Sequence, residues 1–117
     1  MRLLPRRRRK LKPAKYAGRW QELTKLCAER KTWPEAVIRA DNLLAAALKK
    51  RRYKGKTTGE KLVAAQHELS DNEAVWFGHK LRNRIGEMDV RKLRKQDILK
   101  ALAGFRQALR DLGALDK

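Results

Sequence analysis

The chemically richest stretch of the chain is Trp76-Phe77-Gly78-His79-Lys80-Leu81-Arg82-Asn83-Arg84-Ile85-Gly86-Glu87. It combines an imidazole, three cations, an amide and a carboxylate. Such groups can exchange protons near neutral pH and neutralise an anion, so acid–base or anion-directed chemistry is the first reading. Helical spacing puts Phe77, Leu81 and Ile85 on one stripe and Lys80, Arg82 and Arg84 off it.

The elements that must hold this stretch follow from periodicity and caps. Residues 1–15 carry eight cations and no acid. Pro5 and Pro13 break helix there, and the Arg6–Lys10 run repels itself. The expectation is a disordered basic arm over 1–15, followed by a single helical domain over 16–117. A first helix is expected from about Tyr16 to Arg30, with Tyr16, Trp20, Leu23 and Cys27 on one face. Cys27 thereby occupies an apolar position, and no His near it in sequence could activate it as a nucleophile.

Thr32-Trp33-Pro34-Glu35 reads as a capping box with Pro in the first turn. It opens a helix striped by Trp33, Val37, Ala40, Leu44, Ala47 and Leu48 and running to about Tyr53, with Gly55 as its left-handed stop. Thr57-Thr58-Gly59-Glu60 is a second box, opening a short helix that ends near His67, itself read as a cap or surface residue. Ser70-Asp71-Asn72-Glu73 is a third box, opening the helix that carries the featured stretch. Its inward residues are expected to be Ala74, Phe77, Leu81 and Ile85, with Gly78 admitting a close neighbour. A last helix runs from about Lys95 to Leu112 and stops at Gly113. No strand alternation, repeat or long linker interrupts this order. The fold class is all-α, a four- to five-helix up-and-down bundle.

Charge narrows the partners. The 117 residues hold 31 Lys and Arg against 13 Asp and Glu, a net charge of +18. Such a field attracts polyanions, nucleic acid first and an anionic membrane second. Two clusters carry it. One is Arg6, Arg7, Arg8, Arg9, Lys10, Lys12, Lys15 and Arg19 at the N-terminus. The other is Lys49, Lys50, Arg51, Arg52, Lys54 and Lys56 around the end of the second long helix. Cations there also complement the helix macrodipole, but five in six residues exceed that need. A membrane-surface role for the arm is a minor reading, resting on Leu3, Leu4 and Leu11 among the cations.

A single cysteine excludes an internal disulfide, and no run approaches the length of a membrane span. No apolar signal core follows the basic start, so the expected location is cytoplasmic. No Gly-rich phosphate loop, HExxH, zinc spacing or EF-hand loop is present, and no cofactor or metal is expected. A helix-turn-helix reader of DNA would place Asp71, Asn72 and Glu73 against the duplex, where their charge is unfavourable.

Three segments carry a resemblance. They are Ala40-Asp41-Asn42-Leu43-Leu44, Tyr53-Lys54-Gly55-Lys56-Thr57-Thr58-Gly59-Glu60, and Ala74 to Ile85 with its His79-Lys80-Leu81-Arg82-Asn83 core. In this order, from Trp20 to Leu112, the chain resembles the HEPN family of small helical bundles, and within it bacterial HEPN-like proteins. The resemblance implies a bundle that pairs across a dimer and acts on or binds RNA. Active members use an Arg followed by a polar residue and, four to six positions on, a His. In-line attack by a ribose 2′-OH needs a proton acceptor, a proton donor and a cation for the phosphorane charge. Arg82 and Asn83 match the first half of that motif. The positions for the His hold Glu87, Met88 and Asp89, while His79 precedes the Arg by three residues. Arg82, Asn83, Glu87 and His79 are therefore only weak catalytic candidates.

The resulting expectation is a non-catalytic protein that binds RNA ahead of DNA through its arm and basic helix ends. The partner would be ribosomal RNA or another ribonucleoprotein. The alternatives are a metal-independent ribonuclease or toxin of HEPN type, and a protein-partner module acting as a homodimer.

Overall fold

The apolar stripes and caps become five α-helices in the computed structural model, which describes residues 10–116. They are α1 (Pro13–Thr24), α2 (Trp33–Lys50), α3 (Thr58–Ala64), α4 (Asn72–Ile85) and α5 (Lys95–Asp111). Single 3₁₀ turns at Lys25–Ala28, Arg30–Thr32 and Val90–Lys92 occupy the corners. Among the described residues there is no strand, and the fold is an all-α bundle. No described helix is long and apolar enough to cross a membrane.

α2 lies at the centre, packed against α1, α3, α4 and α5. Its stripe of Val37, Ala40, Leu44, Ala47 and Leu48 is fully buried, as the periodicity requires. α5 buries Ile98, Ala101, Leu102, Phe105, Ala108 and Leu109 against it and against α4.

Two glycines set the α4–α5 spacing. A Cβ on Gly78 would stand 2.9 Å from the Phe105 ring and 3.1 Å from Ala101 O. One on Gly104 would stand 2.3 Å from Ala74 O. The expected close approach at Gly78 is therefore present, with Gly104 as its unforeseen counterpart. The approach also rotates α4. Its buried residues are Val75, Gly78, Leu81 and Ile85, whereas Ala74 and Phe77 are only half-buried. Phe77 is covered from outside by the Lys100 ammonium, 4.3 Å from its ring centroid.

Several boundaries differ from the sequence reading. Pro13 does not end an arm but opens α1, where its missing N–H costs nothing. Lys15, assigned to a disordered arm, is thus helical. Arg6, Arg7, Arg8 and Arg9 lie outside the described residues. α1 stops at Thr24 rather than Arg30. Side chains take the carbonyls a longer helix would use: Trp33 Nε1 donates to Cys27 O (2.9 Å) and Thr32 Oγ1 to Leu26 O (2.6 Å). Thr32 is accordingly turned away from α2 and makes no cap, while Glu35 pairs with Arg39 Nε at 2.7 Å.

The Thr57 box does form, with Glu60 N–H donating to Thr57 Oγ1 (3.1 Å) and Lys56 N–H donating to Glu60 Oε1 (2.9 Å). At α4 the cap is Asp71, which accepts from Ala74 N–H (3.0 Å). Ser70 instead donates its N–H and hydroxyl to Asp111, tying the start of α4 to the end of α5.

α2 ends in a left-handed residue, but it is Arg52 (φ 62°) and not Gly55. Arg52 N–H donates to Lys49 O (2.9 Å) and Tyr53 N–H to Leu48 O (3.2 Å), the paired closure that finishes a helix. Gly55 serves the next turn, since a Cβ there would meet the Glu60 Cβ at 2.6 Å. α5 closes as expected on Gly113, at φ 82°.

Cys27 packs, half-buried, against the core, and burial pushes its thiol pKa up. At mildly alkaline pH it should therefore alkylate several times more slowly in the folded protein than in denaturant. Mass-spectrometric labelling with iodoacetamide checks this, and equal rates in both states would contradict the burial.

Candidate functional site

One end of the bundle gathers the exposed cations. Lys49 and Lys50 are exposed in the last turn of α2, and Arg52, Lys54 and Lys56 are exposed in the loop that follows. None of Lys49, Lys50, Lys54 and Lys56 is ion-paired among the described residues. The N-terminal segment reaches this end too. Lys10 and Leu11 line a shallow cavity of about 330 Å³ with Arg51, Leu112 and Gly113. Thus the structure brings Lys10 to the α2-end cluster, a meeting the sequence does not reveal. Lys12 and Lys15 are exposed at the start of α1. Arg19 stands apart on the α1 surface, beside Glu22 and Arg39 at the rim of an α1–α2 groove.

Arg51 leaves the phosphate-binding set. Its guanidinium donates to both oxygens of Glu68 (3.1 and 2.8 Å) and to Leu112 O, and its side chain is only 14% exposed. It fastens the end of α2 to the segment after α3 and to the end of α5. One Nη group spans both carboxylate oxygens while the other takes the Leu112 carbonyl, so a single guanidinium joins the two partners.

All seven aromatic residues lie among the described residues, and none is exposed. Trp20, Trp76 and Phe77 are half-buried, and Tyr16, Trp33, Tyr53 and Phe105 are buried.

A second cluster sits between α2 and α4. Asp41 is 3% exposed, the one polar or charged residue buried among the described residues. Its Oδ1 lies 2.8 Å from His79 Nδ1, and its Oδ2 lies 3.4 Å from Arg82 Nε. With the carboxylate ionised, Nδ1 carries the hydrogen and donates, which leaves Nε2 as the outward-facing nitrogen. The edge of Trp76 meets the imidazole in a T-shaped contact with centroids 5.7 Å apart. Asp41, His79 and Arg82 border a concavity of about 420 Å³ lined also by Asn42, Thr57, Thr58, Gly59 and Asn83.

His79, Arg82 and Asn83, three of the four weak catalytic candidates, thus reach one concavity. Glu87 does not. It is exposed in the turn after α4, two helical turns beyond His79. Of the other residues where the motif calls for His, Met88 is half-buried against the core. Asp89 accepts three hydrogen bonds from Arg91, two from the guanidinium at 3.2 and 3.0 Å and one from the backbone N–H at 2.9 Å, and these hold its carboxyl below the usual range.

Asp41 is the residue that reading by motif missed as a site residue. A signal was present, since Asp41 follows Val37 by four and precedes Leu44 by three on an otherwise apolar stripe. No group of three or more His, Cys, Asp or Glu among the described residues could hold a metal ion. Comparison with family models, with curated proteins and with solved structures returned no match.

Proposed function

We propose that this protein binds RNA without cutting it, through phosphate contacts made at the end of the bundle that carries Lys49, Lys50, Arg52, Lys54 and Lys56 and that Lys10 approaches beside Arg51. The observation that carries this reading is the convergence of the N-terminal segment on the α2-end cations, most of which no carboxylate neutralises. A net charge of +18 supplies the attraction. A bundle of buried and half-buried aromatics favours backbone over base contact. The HEPN-like segments favour RNA over DNA, with ribosomal RNA or another ribonucleoprotein as host. The carboxylates at the motif's His positions favour a binding role over a nuclease role.

The test measures affinity for a structured RNA across a salt series. The intact protein should show a steep fall in log K with log salt. Replacing Lys49, Lys50, Lys54 and Lys56 by Glu should lower the slope by about 1 for each phosphate that is no longer neutralised. Deletion of residues 1–9 should lower it independently. Affinity and slope unchanged in both variants would refute phosphate binding by this surface and leave the protein-partner reading in its place. RNA cleavage without metal, abolished by Arg82→Ala, would refute the non-catalytic role.

A further inference from the structure

We propose that the concavity between α2, α4 and the start of α3 is a phosphate-recognition site, built on the Asp41 carboxylate. It stands on residues other than the basic end of the bundle, so it does not depend on the RNA-binding reading above.

Asp41 anchors the site. A carboxylate on the core stripe of α2 is costly to bury, and here it faces two groups from α4. Its Oδ1 binds the Nδ1 side of His79 at 2.8 Å, and its Oδ2 faces Arg82 Nε at 3.4 Å, an ion pair without a hydrogen bond. The His79 Nε2 and the Arg82 Nη groups are therefore left for other partners. His79 Nε2 makes no hydrogen bond within the described residues, and neither do the two Nη groups of Arg82. Both residues line the same concavity.

The rest of its lining is suited to an oxyanion. Thr58 supplies a hydroxyl, and Asn42 and Asn83 supply amides. No carboxylate besides Asp41 lines it. A guanidinium whose Nε side faces a carboxylate keeps its two Nη groups available, the fork that matches two oxygens of a phosphate. An imidazole whose Nδ1 is fixed by a carboxylate offers Nε2 to a third oxygen, as a donor when protonated or as an acceptor from a monoprotonated phosphate. The volume of about 420 Å³ accommodates a phosphate with the first part of the molecule that carries it.

Gly59 provides a means of closing this site without removing a charge. A Cβ there would lie 3.4 Å from Trp76 Cη2 and 3.8 Å from His79 Nε2, which is ordinary contact distance. The methyl of Gly59→Ala would therefore cover the imidazole nitrogen while leaving the helix intact.

The experiment follows the ring C–H resonances of the two histidines by NMR in the full-length protein at moderate salt. The probes are inorganic phosphate, adenosine 5′-monophosphate and adenosine. His67, exposed and outside the lining of the concavity, is the internal control. The two phosphate probes should shift His79 and not His67, with affinities of about 0.1–1 mM. Adenosine should shift neither. Arg82→Lys keeps the charge but removes the fork, and should weaken binding about tenfold. Gly59→Ala should fold normally and abolish the response. Charge reversal at Lys49 and Lys50 should leave it in place.

Short RNAs with a 5′-phosphate or a 5′-hydroxyl then separate the sources. A response to the first alone assigns a chain end, and a response to both assigns backbone phosphates. The proposal fails if His79 and His67 respond alike, if adenosine acts as well as its monophosphate, or if Gly59→Ala and Arg82→Lys bind like the parent.

Discussion

Gly104→Ala is expected to destabilise the protein by about 3 kcal/mol, a fall in Tm of roughly 10–20 °C. The added methyl would lie 2.3 Å from Ala74 O and 2.6 Å from Ala74 C, both backbone atoms of α4. No rotamer can relieve that, so α4 and α5 must separate along their most extensive contact. Intrinsic helix propensity works the other way, since alanine is favoured over glycine inside a helix by about 1 kcal/mol. The steric term wins because it displaces a whole helix rather than one side chain. Gly18→Ala is the control. Its Cβ would meet nothing within 4 Å, so the same chemical change in α1 should be stabilising, by about 0.5–1 kcal/mol. Gly78→Ala should fall between them, because its main obstacle is the Phe105 ring, which can move. Thermal melts followed by circular dichroism decide the order. Equal stability of Gly104→Ala and Gly18→Ala would show that the helices do not pass this closely.

Asp41→Ala is the second large effect, expected at about 3 kcal/mol. The residue is 3% exposed and accepts from His79 Nδ1, whose side chain is itself only 12% exposed. Truncation leaves the His79 Nδ1–H without its acceptor and the Arg82 guanidinium without its counter-charge. Its cost is the desolvation of those donors rather than the worth of the contacts alone. The coupling can be isolated. In the double-mutant cycle of Asp41→Ala with His79→Ala, the second change should cost less once the first is made, with an interaction of about 1–2 kcal/mol. Urea melts at constant m-value provide the numbers. Strict additivity would mean that the two side chains do not stabilise one another and would remove the basis for a pinned imidazole.

Glycines, caps and cations differ in how far one dimension reveals them. Gly78 stood on the inward side of an apolar stripe, where a glycine in place of Leu or Ala signals a close neighbour. Gly104 lay off the stripe read for α5, and its role emerged only from the 2.3 Å approach of the Ala74 carbonyl. The Thr57–Glu60 cap was legible because its partners lie within one turn. The Thr32 cap was not realised, because Leu26 and Glu29 offered carbonyls to the same hydroxyl. Arg51 looked like one more cation in a row. Its partners, Glu68 and Leu112, come from 17 and 61 residues away.

The sequence by itself determined the all-α class, four of the five helix starts to within a residue, the stripe of α2 and the polyanion-attracting charge. These depend on local periodicity, on capping within one turn, and on a sum over residues, none of which needs to know where distant parts of the chain lie. The tertiary structure alone decided which cations stay exposed, that Lys10 meets the end of α2, and that Asp41 gathers His79 and Arg82 from 38 and 41 positions away. The physical reason is that a side chain's partner across a helix interface depends on the crossing and rotation of the two helices. Those are set here by a pair of glycines whose missing Cβ atoms let α4 and α5 close together, and with them the face that α4 presents to α2.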